Sequence, residues 1–178
     1  MESLVTHFPQ IMYGIFCFLS IFFAIGVVMS RNPVSSAFSL IAVLLNVAAI
    51  FAMQEAHFVA AVQVLVYAGA IMVLFVFVIM LLNIDQVGLD MVTNKISIAL
   101  SAVGALVFCI LVTFVLKRGG VAPTPGAYTV EAIQTAGGNI RVISEVMFSD
   151  YVLPFEIVAV LLLMAIVGAV VLAKRKVD

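Results

Sequence analysis

The sequence predicts an all-α membrane protein with five transmembrane helices. Of its 178 residues, 66% are hydrophobic and 10% are charged, and the mean hydropathy is +1.34. A soluble domain carries about 25% charged residues, because its surface is solvated. Five apolar runs each approach the roughly 20 residues that cross a bilayer, and no apolar–polar alternation suggests a barrel. The runs, within a single membrane domain over residues 1–178, are 11–29, 34–53, 58–82, 96–116 and 151–173.

Short connections join the first three runs. The tetrapeptide SRNP (30–33) offers Asn32 as an N-cap and Pro33 as the first helical residue. The tetrapeptide QEAH (54–57) is equally short. The first three helices are therefore expected to be antiparallel neighbours.

Two longer connections follow. Residues 83–95 form a modest polar loop, and residues 117–150 form a long one that is rich in Gly, Pro and Thr. The middle of the long loop, EAIQTAGGNIRVISEVMF, has room for a short surface helix. We expect residues 117–150 to form an external loop, on the same side of the membrane as the N-terminus.

The distribution of Lys and Arg predicts that the N-terminus lies outside and the C-terminus in the cytoplasm. Cytoplasmic segments of membrane proteins carry an excess of these residues, and the rule is weaker for long loops. Three of the eight basic residues fall in the long loop. The other five fall on the inner side in this orientation: Arg31, Lys95, Lys174, Arg175 and Lys176.

Several function classes are disfavoured. The net charge of −1 gives no reason to expect binding to nucleic acid. No CxxC, HExxH, GxGxxG or P-loop pattern occurs, so neither a metal site nor a nucleotide site is expected. Cys17 and Cys109 lie in apolar runs and are interpreted as small buried hydrophobic residues. Residues 1–10 hold no Lys or Arg, so no cleavable signal peptide is expected.

The third run carries polar and small residues on one predicted helix face. Spacings of three and four place Ala60, Gln63, Tyr67, Ala70 and Leu74 on that face. Such a face serves either ordinary helix packing or a hydrated, switching contact. The run is also longer than the hydrocarbon core, at roughly 37 Å for about 1.5 Å per residue. Either a tilt or a π-bulge accommodates that length, and a bulge would fall most naturally at Gly69.

Two further polar residues lie within apolar runs. Asn46, in the middle of the second run, needs a hydrogen-bond partner, most simply on a neighbouring helix. Glu156 follows Pro154 near the start of the fifth run, where a carboxylate favours the helix N-terminus. The alternative for Glu156 is proton handling or a subunit contact, because it is the only acidic residue within the five runs.

Three stretches resemble a known family. VYAGAIMVLFVFVIMLLN (66–83) resembles the third-helix signature of subunit J of bacterial respiratory complex I, whose counterpart is the sixth mitochondrially encoded subunit. NPV (32–34) is similar to the start of that family's second helix, and LPFEIVAVLLLMAIVGAVVLAKR (153–175) to its last helix. The resemblance covers nearly the whole chain, and only the loop 117–150 lacks a distinctive motif.

The resemblance implies a setting for the chain. It implies a non-redox membrane-arm subunit of proton-translocating NADH:quinone oxidoreductase in the bacterial cytoplasmic membrane. The expected partners are the lipid bilayer, subunits A, H and K and the antiporter-like subunits. It implies that FMN, iron–sulfur clusters and quinone bind to other subunits and that no cofactor binds to this chain. The alternative is a subunit of a multisubunit cation/proton antiporter or a related hydrogenase-type complex.

The resemblance also implies a mechanism for the third helix. Exchange between a π-bulge and a regular helix would gate a water path that couples quinone reduction to proton pumping. Carried onto this sequence, Tyr67 and Gly69 mark the bulge, and the apolar gate is Val73, Leu74 and Phe75. Some relatives carry a carboxylate at the position of Gln63, which cannot titrate, so Gln63 is expected to orient water or to bond across helices. The polar path or helix contact would thus involve Gln63, Asn46 and Glu156.

Overall fold

The protein is helical throughout the part that the computed structural model describes, which is residues 2–82, 95–118, 126 and 128–174. The first three apolar runs give α1, α2 and a composite third span, and the remainder gives α5 to α8. The elements are α1 (Glu2–Met29), α2 (Pro33–Met53), α3 (His57–Val62), a π-helical segment (Gln63–Ile71), α4 (Met72–Leu81), α5 (Lys95–Arg118), α6 (Val130–Thr135), α7 (Asn139–Ser149) and α8 (Val152–Ala173).

Within the described ranges, five helices are long and apolar enough to cross a membrane, which agrees with the five predicted spans. They are His7–Met29, Pro33–Met53, His57–Leu81, Ala99–Arg118 and Val152–Ala173. The main difference in bounds is at α1, which begins at Glu2 rather than residue 11 and contains Pro9. Hydropathy identifies only the part of a helix that is apolar enough for lipid. It therefore does not detect the more polar turns at the start of α1. The predicted polar loop 83–95 lies outside the described residues, apart from Lys95.

The turn between α1 and α2 forms as predicted, with Asn32 as the N-cap of α2. Its side-chain oxygen accepts a hydrogen bond from the backbone N–H of Val34 at 2.9 Å, and Pro33 is the first helical residue. The hydroxyl of Ser36 donates to the carbonyl oxygen of Val27 at 2.7 Å, which ties α2 to α1. Within a bilayer no water is present to bond these polar groups, so a hydrogen bond between helices stabilises them instead.

The described chain forms two compact units, Met1–Ala127 and Tyr128–Asp178. In the first, α2 packs against α1 and also against the third span, which comprises α3, the π-helical segment and α4. Its core is small, with Ala37 of α2 buried together with Met72 and Ile79 of α4. By contrast, α5 has no Cα atom within 8 Å of α1, α2 or the third span.

In the second unit the predicted surface helix is divided into two. Gly137 and Gly138, with φ of 95° and 99°, separate α6 from α7. These left-handed values suit glycine, which lacks a Cβ. The unit continues into α8, and the rings of Phe148 in α7 and Phe155 in α8 pack edge to face with centroids 4.9 Å apart.

Candidate functional site

The third span changes its winding in the middle. The chain is α-helical over His57–Val62, π-helical over Gln63–Ile71 and α-helical again over Met72–Leu81. At the end of the π-helical segment, the N–H of Met72 donates to the carbonyl oxygen of Tyr67, five residues earlier. A π-helical stretch is rare in proteins, usually covers one turn and is often found at functional sites. This one covers nine residues.

Gly69 lies within the π-helical segment, where the backbone approaches it closely. A Cβ atom at this position would lie 3.1 Å from the carbonyl oxygen of Val64. Val64 is five residues before Gly69, which is the spacing of π-helical hydrogen bonds. Glycine therefore leaves space beside the Val64 carbonyl oxygen, and the Cβ atom of any other residue at position 69 would reduce that space.

The face of the third span that packs within the chain is not the predicted one. Ala60 is buried, as the pattern suggested, but Tyr67 is 50% exposed and Leu74 is 65% exposed. The buried residues of the span are Ala60, Ala68, Met72 and Ile79. The prediction of this face assumed spacings of three and four residues along the whole span. The five-residue spacing of the π-helical segment changes which residues share a face after that segment.

The proposed gate residues lie immediately beyond the change of winding. Val73, Leu74 and Phe75 belong to the first turn of α4, and their side chains are 46%, 65% and 47% exposed in the chain alone. Their neighbour Met72, which is 6% exposed, packs into the core instead. Sequence reasoning missed both Met72 and the Val64 carbonyl group, and only an assumed five-residue spacing from Gly69 would have found the latter.

Two polar side chains mark the start and the middle of the π-helical segment. Gln63 is its first residue and is half-buried, and Tyr67 is its fifth and is half-exposed. Among the described residues neither side chain makes a hydrogen bond. Both groups are thus available to water or to a neighbouring subunit, which is how polar side chains at membrane depth are stabilised.

Asn46 does not bond to a neighbouring helix, contrary to expectation. Its amide Nδ2 donates to the carbonyl oxygen of Ala42 at 2.7 Å, within α2 itself. A helical side chain of this length reaches the carbonyl group one turn earlier, which stabilises the amide without a second helix. This hydrogen bond therefore does not join Asn46 to the third span.

Glu156 follows the first turn of α8, close to its expected position near the start of the fifth run. The helix α8 begins at Val152 after Tyr151, and its first turn contains no acidic residue. Glu156 lies in the second turn, where it is exposed and makes no ion pair or hydrogen bond with other described residues. It belongs to the second compact unit, whereas Gln63, Tyr67 and Gly69 belong to the first.

The described residues offer no cluster with the make-up of a metal site. No group of three or more His, Cys, Asp or Glu side chains stands together in the described part of the chain. The two cysteines are free, and in the chain alone Cys17 is half-buried and Cys109 is exposed. Both lie in membrane-spanning helices that leave much of their surface uncovered within this chain.

Comparison with known proteins gives consistent matches over nearly the whole chain. The family described as NADH-ubiquinone/plastoquinone oxidoreductase chain 6 matches residues 23–172. NAD(P)H-quinone oxidoreductase chain 6 of Nostoc sp. is 41% identical over 175 residues, which cover 98% of this chain and 83% of the relative. The protein of the same name from Synechocystis sp. is 41% identical over 177 residues, covering 97% and 84%. The chloroplastic subunit 6 of Chlorokybus atmophyticus is 40% identical over 168 residues, covering 86% and 77%.

Proposed function

Because the chain belongs to the NADH-ubiquinone/plastoquinone oxidoreductase chain 6 family, we propose that it is a membrane-arm subunit of a proton-translocating NAD(P)H:quinone oxidoreductase. It corresponds to the subunit named J in bacterial complexes. Its role is to couple quinone reduction to proton transport through the third span. The observation that carries this proposal is the π-helical segment Gln63–Ile71 with Gly69 inside it.

The coupling step is a change of winding in this segment. Returning one π-helical turn to α-helical winding rotates the following residues by about 100° and shifts them by about 1.5 Å along the axis. Val73, Leu74 and Phe75 lie just beyond the segment and turn with α4. An apolar constriction controls water by wetting and drying, so rotating these three side chains opens or closes a water path.

The polar residues of the segment support the water path without carrying a proton themselves. Gln63 has both donors and acceptors but does not titrate, so it orients water. The hydroxyl of Tyr67 donates and accepts in the same way. Asn46 and Glu156 have supporting roles, Asn46 within α2 and Glu156 as an exposed carboxylate on α8 that meets water or another subunit.

The redox chemistry belongs to other subunits. In this proposal FMN, iron–sulfur clusters and quinone bind elsewhere in the complex, and this chain has a mechanical role. Partner subunits cover the helices that the chain leaves open, in particular α5, which does not contact the other spans of its unit. The expected neighbours are subunits A, H and K and the antiporter-like subunits.

We propose that the chain lies in the cytoplasmic membrane of a bacterium with its N-terminus outside. The described part supplies five candidate spans, and an odd number puts the termini on opposite sides. The bias of Lys and Arg toward the C-terminal tail and the loops on the same side supports a cytoplasmic C-terminus.

Co-purification tests the assignment. The chain carries an affinity tag, is extracted from its native membrane in mild detergent, and is assayed for piericidin-sensitive NAD(P)H:quinone reduction. We expect quinone reductase activity to copurify with flavin and iron–sulfur subunits. Recovery of antiporter subunits without redox activity would instead assign the chain to a cation-exchange complex.

A further inference from the structure

The pair of short helices before the last span has a surface that the proposed function does not use. α7 ends at Ser149 and α8 begins at Val152, so only Asp150 and Tyr151 separate α7 from a membrane-spanning helix. The ring contact between Phe148 and Phe155 fixes α7 to the first turns of α8. α7 is thereby held at the boundary of the membrane.

α7 is too short to cross a bilayer, and its two faces differ. Its 11 residues extend for about 16 Å, against roughly 30 Å of hydrocarbon. One face bears Arg141 and Glu145, whose side chains form an exposed ion pair with Nε and Oε1 3.0 Å apart. The other face is apolar and is made by Val142, Ile143, Val146 and Met147. A helix of this kind lies in the plane of the membrane surface with its apolar face toward the acyl chains.

The apolar face of α7 forms one side of a groove of about 440 Å³. Ile133 of α6, Tyr128 and Tyr151 also line it. The volume falls within the roughly 300–1,000 Å³ of small-molecule pockets. The two tyrosines are 62% and 58% exposed, and tyrosine is enriched where hydrocarbon meets water, because its ring is apolar and its hydroxyl is polar.

We propose that this groove, named the α6–α7 groove, binds an acyl chain of a bilayer phospholipid and so anchors residues 128–149 flat on the membrane surface. The lining suits an acyl chain, because it has no charged residue and, apart from Asn139 and the hydroxyls of two tyrosines, its side chains are apolar. Because α7 is joined directly to the membrane-spanning helix α8, the groove lies close to the bilayer. This inference does not depend on the coupling role of the third span.

Photo-crosslinking in a defined membrane tests the proposal. The complex containing this chain is purified with Val146 replaced by the diazirine analogue of leucine and is reconstituted in vesicles of palmitoyl-oleoyl-phosphatidylcholine. The matched control places the same analogue at Ser144, which is two residues away on the opposite side of α7 and outside the groove lining. After irradiation, the mass of the chain is measured. We expect the Val146 variant to gain the mass of one phosphatidylcholine severalfold more often than the Ser144 variant.

Two results would overturn the proposal. A polypeptide adduct at Val146 would show that a partner subunit occupies the groove, and equally low phospholipid adducts at both positions would show that the face lies in water. If the Val146 variant fails to assemble, the analogue at Ile143, which also lines the groove, gives the same comparison.

Discussion

The carbonyl oxygen of Val64 lies 3.1 Å from the position that a Cβ atom would occupy on Gly69. The two residues are five apart in the π-helical segment of the third span, so the contact arises from the winding itself. Glycine permits the approach without displacement of the backbone. The segment thus combines an uncommon winding with the one residue type that accommodates it most easily.

Gly69→Val is expected to shift the third span toward α-helical winding. A branched side chain at the tight position costs about 1–3 kcal/mol, and each 1.4 kcal/mol changes a population about tenfold. The hydrogen bond from Met72 N–H to Tyr67 oxygen should therefore give way to a four-residue spacing. A high-resolution structure of the variant complex measures this directly, and an unchanged π-helical segment would contradict the steric explanation.

Gly104→Val is the matched control for that substitution. Gly104 lies in α5, another membrane-spanning helix, and a Cβ built on it meets no described atom within 4 Å beyond its chain neighbours and the backbone of its own helical turns. The same increase in side-chain volume should leave the third span unchanged. A shift of winding in this variant as well would point to a general effect of valine in the membrane.

Ser36→Ala removes the hydrogen bond between α2 and α1. The hydroxyl of Ser36 donates to the Val27 carbonyl oxygen, and interhelical hydrogen bonds in membranes contribute about 0.6 kcal/mol on average and about 1.7 kcal/mol at most. We expect a loss of stability in this range for the full chain in mixed micelles, measured by titration with dodecyl sulfate. Ser35→Ala should be neutral, since its exposed side chain makes no hydrogen bond in the described part of the chain, and an equal loss there would refute the assignment.

Ala37→Leu should separate α2 from the third span. Ala37 is 3% exposed and packs with Met72 and Ile79, so added volume must displace one of the two helices. Overpacking of this kind costs about 1–3 kcal/mol, measured by the same titration. Phe38→Leu is the comparison, because Phe38 is 60% exposed and surface changes usually remain within about 0.5 kcal/mol. Tolerance of Ala37→Leu would show that this core is not the contact that holds α2 to the third span.

Glu156→Gln should affect proton pumping less than Gly69→Val does. The side chain is exposed in the second turn of α8 and has no partner in the described part of the chain, so removing its charge disrupts no contact there. Pumping is measured by quenching of a pH-sensitive dye in proteoliposomes that contain the variant complex. Normal assembly with complete loss of pumping would assign a proton-carrying role to Glu156 instead.

The five spans and the cap at Asn32 were predictable because they depend on local chemistry. Long apolar runs indicate segments that are stable in lipid, and an Asn-Pro pair indicates the start of a helix. The extent of the π-helical segment was not predictable, because α4 is apolar at every position and its sequence contains no periodic contrast. The hydrogen bond of Asn46 within its own helix was missed for a related reason. A polar residue in an apolar run shows that a partner is needed but not which one.

The division of the surface segment into two helices, α6 and α7, could not be predicted from the sequence either. A glycine pair indicates a break, but its two left-handed φ angles become apparent only in the folded chain.

In the proposed mechanism, the winding of the third span couples quinone reduction to proton transport. The most direct test measures protons pumped per NAD(P)H oxidised in proteoliposomes that contain the complex with Gly69→Val, beside the complex with Gly104→Val. We expect full assembly of both complexes, with coupled turnover reduced about tenfold or more in the Gly69 variant only, since 1.4 kcal/mol of strain corresponds to a factor of ten. Normal turnover and normal pumping in the Gly69→Val complex would contradict it.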